Sequence, residues 1–424
     1  HQNTTGAKTV DAKTLEASAI EGKGGRPAFA LDTAAIGGMY AGRITLVGTE
    51  KGLGVNNSGA WSAEDNLTLD WNGDLKNSGT IYSKGNTDLR ASRLENDKTI
   101  AAERNLSAEA KENIRNQGKL LAGENMDIYA GKTLDNAGYA MESGNNLSIE
   151  TGDAINNAAG TNKSGGSQQI KAGHTLTNTE GTLAADGNIN IQTDKMTGDG
   201  IVSAGKKAGI LLEKDFTNTG RLEAGSRLSL AVKGNITNRK EILSRGHLAL
   251  ESKNMRNEET GEIKGADTQT VAENTWVNHG LVNGENVHIR ANHITNENTG
   301  RIYGTRLSVE THTLDNLGTY KEKAPVIASR EHMNLSVAGT LTNTEHALIR
   351  AEGNLTIGGQ SDENEKITGK TEKIENRSAY LESGGNMTIG VNHLENRNEH
   401  FPTKNVLAGK THHEEAVGQG ETDR

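Results

Sequence analysis

Two short stretches of this chain carry residue types that could do acid–base or metal chemistry, SDENEK at 361 to 366 and HHEE at 412 to 415. Paired carboxylates act as general acid and base when held at a fixed separation, and His with Glu is a common metal-ligand set. His279, His288 and His293 also fall close together, and Trp61, Trp71 and Trp276 offer flat faces on which a sugar could stack. Each of these has a plainer reading. The acidic stretches sit in an insertion and in a polar tail, where solvated loops are expected. In NVHIRANHI the alternation with Val and Ile puts His288 and His293 on an outer face. The tryptophans suit core or corner packing, with sugar stacking kept as the alternative for Trp71, which follows a strand end. The chain has no cysteine, which excludes zinc knuckles, thiol catalysis and a disulfide scaffold. GxSxG, the P-loop and the calcium nonapeptide GGxGxDxUx are absent too. No catalytic, cofactor-binding or metal residue is assigned.

The elements that would have to position any such chemistry are unusual in composition. Only 33% of the 424 residues are hydrophobic, aromatics make up 3%, Gly numbers 52 and Pro 3. A chain of this length would ordinarily split into domains with leucine-rich cores. Here the large apolar residues are too few, so the core must be thin and long. A net charge of -9 is too small over this length to force the chain open by self-repulsion. Lys and Arg scattered among Asp and Glu argue against nucleic acid as a partner. No apolar run approaches the ~18 residues of a membrane helix, so no membrane insertion is expected. The start at His1, without Met or an apolar signal core, reads as a piece of something larger.

One amide recurs along the whole chain. An Asn preceded two residues earlier by an apolar residue stands at Asn57, Asn77, Asn96, Asn116, Asn136, Asn157, Asn178, Asn218, Asn238, Asn257, Asn278, Asn296, Asn316, Asn343, Asn376 and Asn396, with Gly198 in the same place between Asn178 and Asn218. The intervals are 18 to 21 residues except for two longer ones, from Asn316 to Asn343 and from Asn343 to Asn376. Around each Asn, residues alternate with the period of a strand, as in Leu120 and Ala122, then Met126, Ile128 and Ala130 beyond a bend at Gly123, Glu124 and Asn125.

A unit of about 20 residues is too short for a helical hairpin repeat or a propeller blade but suits one turn of a parallel β-helix. The expectation is an all-β, right-handed parallel β-helix of about 20-residue coils, with about 17 coils over 57–400. Like side chains then stack ~4.8 Å apart in a continuous column. The Asn row is read as an internal structural ladder, each amide meeting corner groups of the backbone and the Asn of the adjacent coils. Gly two places after the Asn, at Gly79, Gly118, Gly138, Gly220, Gly280 and Gly318, is read as a turn residue needing positive φ.

The repeat form, in IRNQGKLLAGENMDIYA at 114 to 130 and FTNTGRLEAGSRLSLAV at 216 to 232, resembles the repeats of filamentous haemagglutinins and contact-dependent growth inhibition exoproteins. ALDTAAIGGMYAGRITLVGTEKGLGVNNSGA at 30 to 60 resembles the stretch that joins the secretion domain of that family to its repeats. The resemblance implies a two-partner-secreted protein of a Gram-negative bacterium. It would be exported through an outer-membrane β-barrel partner, which acts on a domain upstream of this chain, and displayed at the cell surface to adhere to a host or bacterial receptor or to present a toxin. It implies no enzyme and no cofactor.

The organisation expected is a lead-in over 1–27, a junction segment over 28–56, the repeat array over 57–400 and a polar tail over 401–424. Other functions remain open at this point: a β-helical polysaccharide-active enzyme, and a passive spacer with no ligand of its own. Extra residues in a repeat normally emerge as loops on one face, and function collects on such loops. Any ligand is therefore expected at 317–328, which carries Tyr320, Lys321 and Lys323, and at 358–373. No Arg-Gly-Asp triplet occurs.

Overall fold

The computed structural model describes residues 2–5, 7–10, 17–19, 29–34, 36–319, 322–362, 366–400, 404–408 and 411–415. Among them every regular element is a β-strand, and no helix is long and apolar enough to cross a membrane. The strands form a parallel β-solenoid of about 18 turns with a spacing of roughly 20 residues. The chain divides into two compact units, residues 1–236 with 240–246 and residues 237–239 with 247–424.

In the first unit a coil has three short strands, as in Thr80–Ser83, Thr87–Ala91 and Leu94–Asn96. Each strand pairs in parallel with its counterpart one coil before and one coil after. Ile81 lies in register with Trp61 and Ile100, Leu89 with Leu69 and Ala108, and Asn96 with Asn77 and Asn116. The alternation of buried and outward residues explains why these segments are strands, because every second side chain enters the column. A buried Leu or Ile contributes about 1.5–3 kcal/mol by leaving water, but only once a neighbouring coil covers it. The same plan reaches upstream of 57. Phe29–Thr33 pairs with Gly54–Asn57, Gly38–Ala41 with Ala60–Ala63, and Ile44–Gly48 with Leu67–Trp71. The segment expected as a junction is thus itself coiled. In the lead-in, Gln2–Thr5 pairs in parallel with Ile44–Gly48. In the tail, Lys404–Ala408 and Thr411–Glu415 form an antiparallel pair.

The glycines that follow the Asn row correct one expectation. Of the six, only Gly138 has positive φ, at 78°. The others are required by stacking: a Cβ on Gly118 would sit 1.9 Å from the Lys98 carbonyl oxygen, and one on Gly79 would sit 2.0 Å from that of Gly59. Here two backbones approach too closely for any side chain. Left-handed residues occur instead at the longer corners, at Ala159, Glu180, Asn298, Glu345, His346 and Ser378, where the chain needs extra residues to turn.

In the second unit several strands run through a corner without a break, such as Glu262–Asn278 and Arg301–Leu317. The two long intervals leave the coil at different corners rather than on one face. The first departs after Asn316, between Leu317 and Val326. The second departs before the Asn strand, between Leu355–Gly358 and Thr371–Arg377, and contains a small antiparallel pair, Gln360–Ser361 with Ile367–Thr368. Neither disturbs the stacking. Asn316 pairs in register with Asn343, and Asn343 with Asn376.

Candidate functional site

The most extensive side-chain arrangement is the inner amide column. Asn57, Asn77, Asn96, Asn116, Asn136, Asn157 and Asn178 are sealed from solvent. Each donates from Nδ2 to the Oδ1 of the next, at 2.8, 2.8, 2.8, 2.7, 3.1 and 2.9 Å in order. The amides also close the backbone corners. Asn116 Nδ2 reaches the carbonyls of Gly118 (3.2 Å) and, one coil on, Ala140 (3.3 Å), while its Oδ1 accepts from Gly118 N–H. A corner carbonyl turned out of the ladder and away from water would otherwise be unpaired. The column is interrupted at Gly198, whose φ is 110° and whose Cβ would lie 2.4 Å from Thr179 N. Asn178 there keeps the Ile201 carbonyl at 3.2 Å, and beyond the interruption Asn218 Nδ2 donates to the Glu241 carbonyl at 3.2 Å.

In the second unit Asn238, Asn257, Asn278, Asn296, Asn316, Asn343, Asn376 and Asn396 form the same chain of donors, each link 2.8 or 2.9 Å long. Asn396 is exposed; the rest are buried. The links from Asn316 to Asn343 and from Asn343 to Asn376 span the two insertions, so the extra residues are excursions from an unaltered column.

A second amide row was missed in the sequence. Asn66, Asn86, Asn105, Asn125 and Asn146 sit one per coil at the corner before the five-residue strand. They run the opposite way. Asn86 N–H donates to Asn66 Oδ1 (2.9 Å), Asn105 and Asn125 each donate through N–H and Nδ2 to the Oδ1 of the coil before, and Ser167 N–H donates to Asn146 Oδ1 (2.9 Å). This row is partly exposed, and its signal was the same spacing as the inner row, hidden because an Asn in a polar stretch just before a strand reads as an ordinary turn residue.

The tryptophans are all buried. Trp61 Nε1 donates to Thr33 Oγ1 (3.0 Å), Trp71 Nε1 to the Leu53 carbonyl (2.7 Å), and Trp276 Nε1 lies 3.1 Å from Met255 Sδ. Trp71 therefore offers no face to a sugar; its ring covers Gly48, where a Cβ would lie 2.5 Å from it. His279 is buried at a corner, its Nε2 2.8 Å from Glu297 Oε1 and its Nδ1 3.7 Å from Glu258 Oε2, one carboxylate from each adjacent coil. His293 pairs with Asp315 at 3.1 Å, and His288 is half-buried between Val287 and Ile289. The three histidines do not converge, and among the described residues no three His, Cys, Asp or Glu side chains are arranged to hold a metal ion. In the first candidate loop Lys323 is exposed, whereas Tyr320 and Lys321 lie outside the described residues. So do residues 363–365 of SDENEK, and the side chains of HHEE.

Elsewhere the surface is laced with ion pairs between successive coils, such as Arg43 with Asp65 and Lys171 with Glu150. Most are exposed, so each is worth about 0–1 kcal/mol. Glu223 is the better-enclosed case: the Ser203 hydroxyl donates to it at 2.6 Å and Arg221 at 2.8 Å, which holds its carboxyl below the usual range. A carboxyl with a depressed folded-state pKa adds stability that is complete above the unfolded value and is lost as pH falls through the folded one. Ser203→Ala should therefore cost about 0.5–1 kcal/mol at pH 7 and nothing once Glu223 is protonated in acid. Urea denaturation of both proteins across pH 2–7 checks this; a pH-independent difference would refute it.

Coils of three short strands, stacked in register around a column of amides, define a parallel β-solenoid, a protein built by repeating one short unit. The haemagglutinin repeat family matches this sequence at residues 4–96, 82–193, 164–275 and 277–411. The chain belongs to that family. Toxin CdiA of Yersinia pestis is 37% identical to it over 107 residues, 20% of this chain and 3% of that protein. tRNA nuclease CdiA-2 of Burkholderia pseudomallei is 45% identical over 75 residues, 18% and 2% of the two chains. tRNA nuclease CdiA of Escherichia coli strain NC101 is 42% identical over 87 residues, 19% and 3%. The similarity thus spans only two or three per cent of the length of these relatives. No solved structure matches the chain significantly.

Proposed function

We propose that the chain is a non-enzymatic stalk segment of a two-partner-secreted bacterial exoprotein. In this reading an outer-membrane β-barrel partner exports it by way of an upstream secretion domain. Outside a Gram-negative cell it supports adhesion, or carries a receptor-binding region and a toxin toward neighbouring cells. The observation that carries the reading is the amide column of the second unit, which passes both insertions with links of 2.8 Å. Such a column keeps its stacking while its loops vary, as a support must. Membership of the haemagglutinin repeat family adds to it, as does likeness to proteins named toxin CdiA.

The Asn column then serves stability, and any ligand belongs to the loops at 318–325 and 359–370. Trimming both loops to the length of the other corners should leave the unfolding free energy within about 1 kcal/mol of the parent, because long surface loops change closure entropy little. The trimmed protein should lose binding to host or bacterial cells that the parent retains. Undiminished binding by the folded, trimmed chain would move the ligand site onto the coils. A parent chain that binds no cells would favour a passive spacer.

A further inference from the structure

One coil of the first unit breaks the interior pattern. In TNKSGGSQQIKA at 161 to 172, Asn162 and Gln168 occupy inward positions whose neighbours in register are Met141 and Leu183 for the first, and Leu147 and Ile189 for the second. Both amides are sealed, at 0% and 1% exposure. Two large aliphatic side chains of the column are therefore replaced by polar ones within a single turn.

The hydrogen bonds of these amides cannot all be made. Asn136 Nδ2 donates to the Tyr139 carbonyl and to Asn157 Oδ1, so its nitrogen is fixed as a donor. Asn162 must then present its oxygen to it, at 3.0 Å. Asn162 Nδ2 is left without a partner. Gln168 Nε2 donates to the main-chain carbonyls of Asn162 (3.0 Å) and Ala184, which fixes that amide as well and leaves its Oε1 unpaired. Flipping either amide would set donor against donor or acceptor against acceptor. In the coil before, Thr151 Oγ1 is also buried and unpaired.

A closed coil keeps these groups from water, whereas an open one hydrates them. Opening here also exposes less large apolar side chain than opening a neighbour would. Coils couple chiefly to their immediate neighbours, so the penalty stays local. We infer that the coil at 161–172 is the point at which the first unit opens: water enters and its strands part while the coils on either side stay closed. In a stalk this decides where the column yields first, a consequence that rests on the stalk reading, as the opening itself does not.

Hydrogen–deuterium exchange on the full chain tests it. Amides of 161–172 should exchange about tenfold or more faster than the equivalent strands at 119–130 and 201–212. The double variant Asn162→Leu, Gln168→Ile should bring them to within about threefold of those strands. Equal exchange in the parent, or undiminished exchange in a folded variant, overturns the inference. Should the variant fail to fold, a lysine-specific protease acting on the parent decides. Its first cut within 60–232 should fall at Lys163 or Lys171, and a first cut at any other lysine of that span overturns the inference.

Discussion

Asn116→Ala should destabilise the first unit by about 3 kcal/mol or more, a large loss for one surface-distant amide. The residue has several partners at once: in buried bonds it accepts from Asn96 Nδ2 and donates to Asn136 Oδ1, and in part-buried ones it accepts from Gly118 N–H and donates to the carbonyls of Gly118 and Ala140. An alanine leaves these groups short of a bond in a column that water does not reach, at about 1–3 kcal/mol for each that stays unmet. Leucine, which has the same branched outline as asparagine but no polar atoms, should not rescue the loss, because the deficit is polar. Asn178→Ala should cost less, by about 1 kcal/mol or more, since Gly198 on the following coil presents no side-chain amide to lose. Equilibrium unfolding gives the magnitudes and hydrogen exchange places the damage on adjacent coils. Unchanged midpoints in both variants, or equal losses in the two, would show that the column does not support the fold in this way.

The second large effect concerns two glycines that look alike in the sequence. Gly118→Ala should cost more than about 3 kcal/mol, because a Cβ 1.9 Å from the Lys98 carbonyl oxygen can be relieved only by separating two stacked coils. Gly138→Ala should cost about 1 kcal/mol. At φ 78° the backbone is left-handed, but nothing lies within 4 Å of the added carbon, and Ala159 adopts φ 51° at the matching corner one coil on. Thermal and chemical denaturation of the two variants should thus differ by about 2 kcal/mol or more. A larger loss at Gly138 than at Gly118 would restore the turn-residue reading that the geometry overturns.

The sequence by itself determined the coil. Period-2 alternation is a local property, and Leu120, Ala122, Met126 and Ile128 display it without reference to any distant residue. The interval of about 20 residues then dictates stacking, because no single coil can bury its own apolar face. Three matters were decided only by the stacked structure. The need for Gly at 118 comes from Lys98, a residue of the previous coil, so no local rule could reveal it. The outer row from Asn66 to Asn146 was hidden because each of its members looks like a turn residue until its Oδ1 is seen to accept from the next coil. The two insertions are distinguishable by length alone, yet the corner from which each departs follows from which strands keep their partners. The physical reason is common to all three. Periodicity along the chain reports which side of a strand faces inward, whereas contacts at the corners are made between coils, and their geometry exists only when one coil lies on the next.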